Sequence, residues 1–194
     1  MSTLTPTSTH MLNSMNSIPS PTRSLSDLAR EERSFTFNHF TCEHAWVIGN
    51  ILRNALRTID LPAVIHISLS SSLTLFHSPS MPGMMPDHEK WVKRKCETVF
   101  RWGNSTWYQS CKFGGDEKRM QEHYGLSSDE ARTYTLEGGG YPIFVKGVEG
   151  VVGAIVLAGL GGEQAHALLI KALDEYRELR NDFRSPMRSA TVKG

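Results

Sequence analysis

Apolar residues recur along one face of a helix in the segment that follows Thr41. Their spacing of i, i+3, i+4, i+7, i+10, i+11 and i+14 is typical of an amphipathic helix with one buried stripe. Thr41 is suited to cap the start, and Asp60-Leu61-Pro62 predicts the end, because the residue before a proline is driven out of the helical region. The stripe comprises Ala45, Ile48, Gly49, Leu52, Ala55, Leu56 and Ile59.

An alternating pattern follows and predicts an antiparallel hairpin. Over Ala63–Leu69, apolar side chains alternate with Val64, His66 and Ser68, which is the period of a strand. Three serines then provide a turn, and Leu73–Phe76 is predicted to return as the second strand.

The middle of the chain predicts a second helix and then a long irregular region. Asp87 is a good N-cap residue, and an apolar arc runs from there to Trp102. Gly103 predicts the stop. Residues 104–132 show no sustained periodicity and are interpreted as irregular, with one turn of helix near Ser127–Ala131.

Two further strands and a final helix complete the pattern. The strands are predicted at Tyr141–Lys146 and Val151–Leu160, after the glycine run Gly138–Gly140. Because the strands cluster in hairpins and do not alternate with helices, we predict an α+β fold in which helices pack on an antiparallel sheet. The last helix follows Gly162, and its stripe comprises Ala165, Leu168, Leu169, Ala172, Leu173, Tyr176 and Leu179.

The pattern divides the chain into one domain and two tails. Residues 1–24 are rich in Ser, Thr and Pro and lack apolar periodicity, so they are predicted to be disordered. Ser24 is predicted to cap a short helix. The α+β domain is predicted over 25–183, with its core from about residue 35, and 184–194 is predicted to be a flexible basic tail.

Charge and cysteine content narrow the classes of function. The 194 residues carry 21 Lys and Arg against 20 Asp and Glu, a balance that provides no basic surface for nucleic acid or membrane. The longest apolar run, 151–160, is too short to span a bilayer. Cys42, Cys96 and Cys111 form no Cys-x-x-Cys pair, which is typical of free thiols in a reducing compartment. We therefore expect a cytoplasmic protein with neither nucleic-acid nor membrane partners.

Several motifs, in the same order along the chain, resemble those of one family. The stretch Gly138–Ile143, its following hairpin and the last helix are similar to the C-terminal half of the haem-degrading-domain (GlcG/HbpS-like) proteins. Residues 40–49, 91–95, 101–105 and 108–112 resemble the branch of that superfamily described as an uncharacterised protein family.

The resemblance implies a profilin-like fold, an antiparallel sheet flanked by helices, and homo-oligomers assembled from dimers. It also implies a small-molecule ligand, with haem as the candidate cofactor, since the better-known branch includes proteins that bind or degrade haem. No position here matches a known haem-binding residue of that family, so none is carried over.

The helix at 87–102 contains the first candidate ligand-binding residues. Lys95 lies inside its apolar arc, and Arg94 lies just outside, beside Trp91. An ammonium in an apolar stripe is costly unless it is paired or reaches water. Either Lys95 extends to solvent while Arg94 pairs with a surface acid, or the two cations hold a ligand's carboxylate.

The glycine run and the histidines are further candidates. Gly138, Gly139 and Gly140 lack the spacing of a nucleotide-binding motif, and they fit a tight entry into a strand, a close approach of backbone to a ligand, or both. His166 and His66 are candidate acid–base groups or haem ligands, each weighed against a hydrogen-bonded structural role. Cys42-Glu43-His44 is too compact for zinc, so no metal site is predicted.

Three hypotheses about function follow. The first is a protein that binds a tetrapyrrole or similar anionic heterocycle, with weak degrading activity as an extension. The second is a homo-oligomeric scaffold that displays its N-terminal arm to protein partners. The third is an isomerase or lyase that uses Lys95, His166 or His66 as its acid–base group.

Overall fold

The structure is a computed structural model that describes residues 19–182. Of the two predicted tails, residues 1–18 and 184–194 lie outside the described residues. Residues 19–24 are described and lead into α1 (Leu25–Ser34). As predicted, Ser24 caps α1, since its hydroxyl accepts a hydrogen bond from the backbone N–H of Asp27.

Four strands form one antiparallel sheet in the order β2-β1-β4-β3. They are β1 (Val64–Leu69), β2 (Thr74–Pro79), β3 (Gly140–Ile143) and β4 (Gly153–Ala158). Both predicted hairpins are present, and every pairing is antiparallel. The predicted α+β class, an antiparallel sheet flanked by helices, is confirmed.

Helices cover both faces of this sheet. On one face, α2 (Cys42–Thr58) and α7 (Gly162–Asp182) pack together with Ile65, Ile67 and Ile155 in the larger apolar core. On the other face, α3 (Asp87–Trp102) packs Val92, Cys96 and Val99 onto the alternate residues of β1 and β4. The side chains of β4 are buried on both faces, as its continuous apolar sequence requires.

The prediction of an irregular region over 104–132 is wrong for most of its length. Three short helices occupy it: α4 (Thr106–Phe113), α5 (Glu117–Tyr124) and α6 (Ser128–Ala131), of which only the last was predicted. Polar N-caps begin α4 and α5, and a left-handed glycine ends each. These caps fix helices too short to show a clear apolar repeat.

Within residues 19–182, no helix is long and apolar enough to cross a membrane.

Candidate functional site

Lys95 lies in the interior of the domain. Its side chain is 1% exposed, and Nζ donates a hydrogen bond to the carbonyl oxygen of Leu157 on β4 at 2.8 Å. Burial lowers the pKa of this amine to about 8, an effect opposed by the negative charge of Glu137. The amine is therefore held by backbone and does not reach solvent.

The glycine run forms close backbone contacts around this amine. A Cβ on Gly138 would lie 2.3 Å from the carbonyl oxygen of Gly162, and one on Gly139 would lie 3.0 Å from Nζ of Lys95. Gly139 has a φ of +107°, a conformation that favours glycine. Gly140 donates its N–H to the hydroxyl of Thr106 at 2.9 Å. The run thus packs three elements together at the entry to β3.

Arg94, the neighbour of Lys95, lies near the surface with 23% of its side chain exposed. Its guanidinium lies 4.9 Å from the centre of the Trp91 ring. It donates to both carboxylate oxygens of Glu117 at 3.1 Å and to the carbonyl oxygen of Tyr134. Of the two alternatives for Arg94, the structure therefore has the pairing with an acid, Glu117 at the start of α5.

His166 is a buried imidazole on the first turns of α7. It is 0% exposed, and its ring contacts those of Trp107 and Tyr141, with centres 6.2 and 5.9 Å away. Nε2 lies 3.3 Å from a carboxylate oxygen of Glu31 on α1. Nδ1 is buried and has no hydrogen-bond partner among the described residues.

Glu32, the next residue on α1, is buried as well. One of its oxygens accepts the backbone N–H of Ser105 at 2.8 Å, and the other accepts the side-chain amide of Asn104 at 3.0 Å. Its carboxylate therefore sits at the N-terminal end of α4, where the helix dipole favours negative charge.

His66 belongs to a different cluster, at the edge of the sheet. Its Nδ1 lies 3.0 Å from Nδ1 of His77, its partner across the β1–β2 pair, and Nε2 of His77 lies 3.1 Å from Glu89. One of the two facing Nδ1 atoms donates and the other accepts. Burial and the His77 ring lower the pKa of His66 to about 4.

The structure thus separates the predicted site residues. Lys95 lies against Gly139, whereas Arg94 turns to Glu117 and His66 lies with His77 on the β2 side. The residues that sequence reasoning missed are Glu31, Glu32, Trp107, Tyr141 and Glu117.

The thiols of Cys96 and Cys111 carry no sign of activation. Burial raises the pKa of Cys111 and raises that of Cys96 to about 11, so both are held in the neutral form. Among residues 19–182, no group of three or more His, Cys, Asp or Glu side chains is placed to hold a metal ion.

Comparison with known proteins gives consistent matches. The model of the family described as haem degrading protein HbpS-like matches residues 40–174. A UPF0303 protein of Streptomyces avermitilis is 35% identical over 150 residues, covering 77% of this chain and 88% of that protein. A UPF0303 protein of Serratia proteamaculans is 34% identical over 152 residues, covering 78% and 91%.

Solved structures share the fold. The crystal structure of the Ybr137w protein matches with a TM-score of 0.75 and 24% identity, covering 93% of this chain and 99% of that one. The structure of a PduOC:Heme complex matches with a TM-score of 0.55 and 14% identity, covering 70% and 93%. Because the family match spans most of the domain and these relatives align over most of the chain, this chain belongs to the HbpS-like haem-degrading protein family.

Proposed function

We propose that this chain binds a tetrapyrrole such as haem, or a similar planar anionic heterocycle. The observation that carries the proposal is the family match over residues 40–174. A structure of the same fold, the PduOC:Heme complex, supports the ligand class. Degradation of the bound ligand, with O₂ as oxidant and an added reductant, is the extension of this proposal.

The described residues fit such a group in their donor set. The imidazole of half-buried His66 is the candidate donor for its metal, because burial and the His77 ring keep its pKa low and the ring neutral. A neutral imidazole is suited to hold an iron. Bound haem would supply a redox-active metal. The chain's own residues would orient it and pair its carboxylates.

Our proposed ligand-binding residues have two different roles. They are Trp91, Arg94, Lys95 and Gly138–Gly140. Arg94 and Trp91 lie near the surface. Arg94 can bind a ligand's carboxylate in place of Glu117, and the Trp91 ring can contact an aromatic plane. Lys95 and the glycines are buried and would act as the wall behind them.

Titration with haemin at micromolar protein is expected to produce a saturable shift of the Soret band. Arg94→Ala should weaken binding about tenfold, the scale of one lost charge-assisted hydrogen bond. Arg101→Ala is the matched control, since Arg101 lies on the same helix and over the ring of Trp102. The absence of any saturable shift would remove the proposal. Equal affinities of both variants would remove Arg94 from the site.

A scaffold function is favoured by an apolar surface beside β2, the edge strand. Trp46 is 62% exposed with its ring against Phe76 of β2, and Leu73, directly before β2, is 58% exposed. Large exposed apolar side chains at an unpaired strand are typical of association surfaces. The family resemblance implies a homo-oligomer, and we propose that it assembles through this surface.

Sedimentation velocity is expected to show an oligomer that Trp46→Ser/Leu73→Ser converts towards monomer, because the double variant removes the exposed apolar area. Val148→Ser, which changes an exposed apolar residue in the β3–β4 turn, should leave the assembly intact. A monomeric wild-type protein, or equal assembly of both variants, would contradict this surface.

A further inference from the structure

α1 lies outside the family-matched residues 40–174 yet inserts polar groups into the domain. Only Leu28 and Glu32 of its ten residues are buried, so its attachment depends little on apolar burial. Such elements belong to the least stable part of a fold and open without global unfolding.

The polar contacts of α1 resemble those of a bound ligand with two carboxylates. Glu32 accepts from Ser105 N–H and from the Asn104 amide, while Glu31 meets Nε2 of His166. Consecutive carboxylates on one helix therefore occupy three donors, all supplied by the rest of the domain. The donors are a helix N-terminus, an amide and an imidazole, a set suited to any carboxylate.

Beneath α1, the walls are aromatic. Trp107 is 5% exposed and Tyr141 is 1% exposed, and both rings contact His166. Nδ1 of His166 is buried at the same place and has no hydrogen-bond partner among the described residues, which is rare for a polar atom in a native structure.

The chain before α1 continues the cover. The carbonyl oxygen of Thr22 accepts the indole N–H of Trp107 at 3.1 Å, and Arg23 pairs with Glu163 at 2.7 Å. An open cleft of about 560 Å³ lies beside this segment, with Pro19, Pro21 and Ala167 among its lining residues. Its volume is that of a small-molecule site, and its lining includes Glu163, the partner of Arg23.

We propose that α1 is a displaceable strap whose Glu31 and Glu32 occupy the carboxylate positions of a planar, aromatic dicarboxylate ligand. The ligand replaces these carboxylates at Ser105, Asn104 and His166 and stacks on Trp107 and Tyr141. The site is separate from Arg94, which is engaged with Glu117 and Tyr134. For its ligand class, this inference rests on the proposed function.

The first test compares haemin affinity in wild-type protein and in Glu31→Gln/Glu32→Gln. The amides keep the shape of the strap but weaken its hold on the three donors, so haemin is expected to bind about tenfold more tightly. Asp129→Asn/Glu149→Gln makes the same charge change at exposed positions and should alter affinity less than about twofold.

The second test needs no variant. Hydrogen exchange of the amides in residues 25–34 of wild-type protein is expected to accelerate when haemin is added, because the strap is displaced. Unchanged or slower exchange there would overturn the inference, as would equal affinities of the two double variants. If haemin binds wild-type protein and either of these results is found, the proposed function is supported and the displaceable strap is contradicted. If haemin binds none of the proteins, both the proposed function and the displaceable strap are contradicted.

Discussion

Gly138→Ala is expected to destabilise the protein by about 3 kcal/mol, the upper range for overpacking a close-packed site. The added Cβ would lie 2.3 Å from the carbonyl oxygen and 2.7 Å from the carbonyl carbon of Gly162. Both are backbone atoms at the start of α7, so no rotation of a side chain relieves the clash. For a chain of this length, the loss corresponds to a fall of about 10 °C in Tm.

Gly161→Ala provides the control for this prediction. Gly161 immediately precedes α7, and a Cβ there would meet no atom within 4 Å. Its Tm should therefore stay close to that of wild-type protein. Thermal unfolding followed by circular dichroism measures both. Equal values of Tm for the two variants would show that the backbones of Gly138 and Gly162 do not pack as the structure has them.

Local patterns predicted the elements that carry a long apolar repeat. The stripe of α2 and the alternation of β1 specify one buried face each, and both elements form close to their predicted bounds. The glycine run was predicted as a tight entry into a strand, and Gly139 has the positive φ of that interpretation. In these segments the period of the pattern determines the structure.

The helices α4 and α5 could not be predicted in this way, because eight residues make barely two turns. Their sequence signals are caps: Ser105 and Asp116 at the starts, Gly114 and Gly125 after the ends. Reading Ser-to-Gly and Asp-to-Gly spacings as capped helices would have found both.

The candidate site was least predictable, because its contacts join residues far apart in sequence. Lys95 meets the carbonyl of Leu157, and Glu31 meets His166. On a short polar helix, the sequence alone does not distinguish two adjacent buried acids from acids on a solvent-exposed face. Periodicity revealed that Lys95 is a charge in an apolar stripe, but only the fold shows that its partner is backbone.

Lys95→Met is expected to change how the free energy of unfolding depends on pH. The pKa of the Lys95 amine is about 8 in the folded protein, against 10.5 for an ordinary lysine. Between these values the unfolded chain holds a proton that the folded chain has lost. Stability contributed by this group therefore rises with pH over that interval, by up to about 3 kcal/mol. Below pH 8 both states are protonated, and its contribution is constant.

Urea unfolding of wild-type protein and Lys95→Met between pH 7 and 10.5 measures this effect as a difference. Burial raises the pKa values of Cys96 and Tyr141, so their contribution to the free energy of unfolding falls as pH rises. This contribution is the same in both proteins and cancels in the difference. Above pH 8, the free energy of unfolding of wild-type protein should rise relative to that of Lys95→Met. Lys118→Met changes an exposed amine and should run parallel to wild type. A Lys95→Met curve that also ran parallel would mean that the buried amine keeps an ordinary proton affinity, held by a partner stronger than the carbonyl of Leu157.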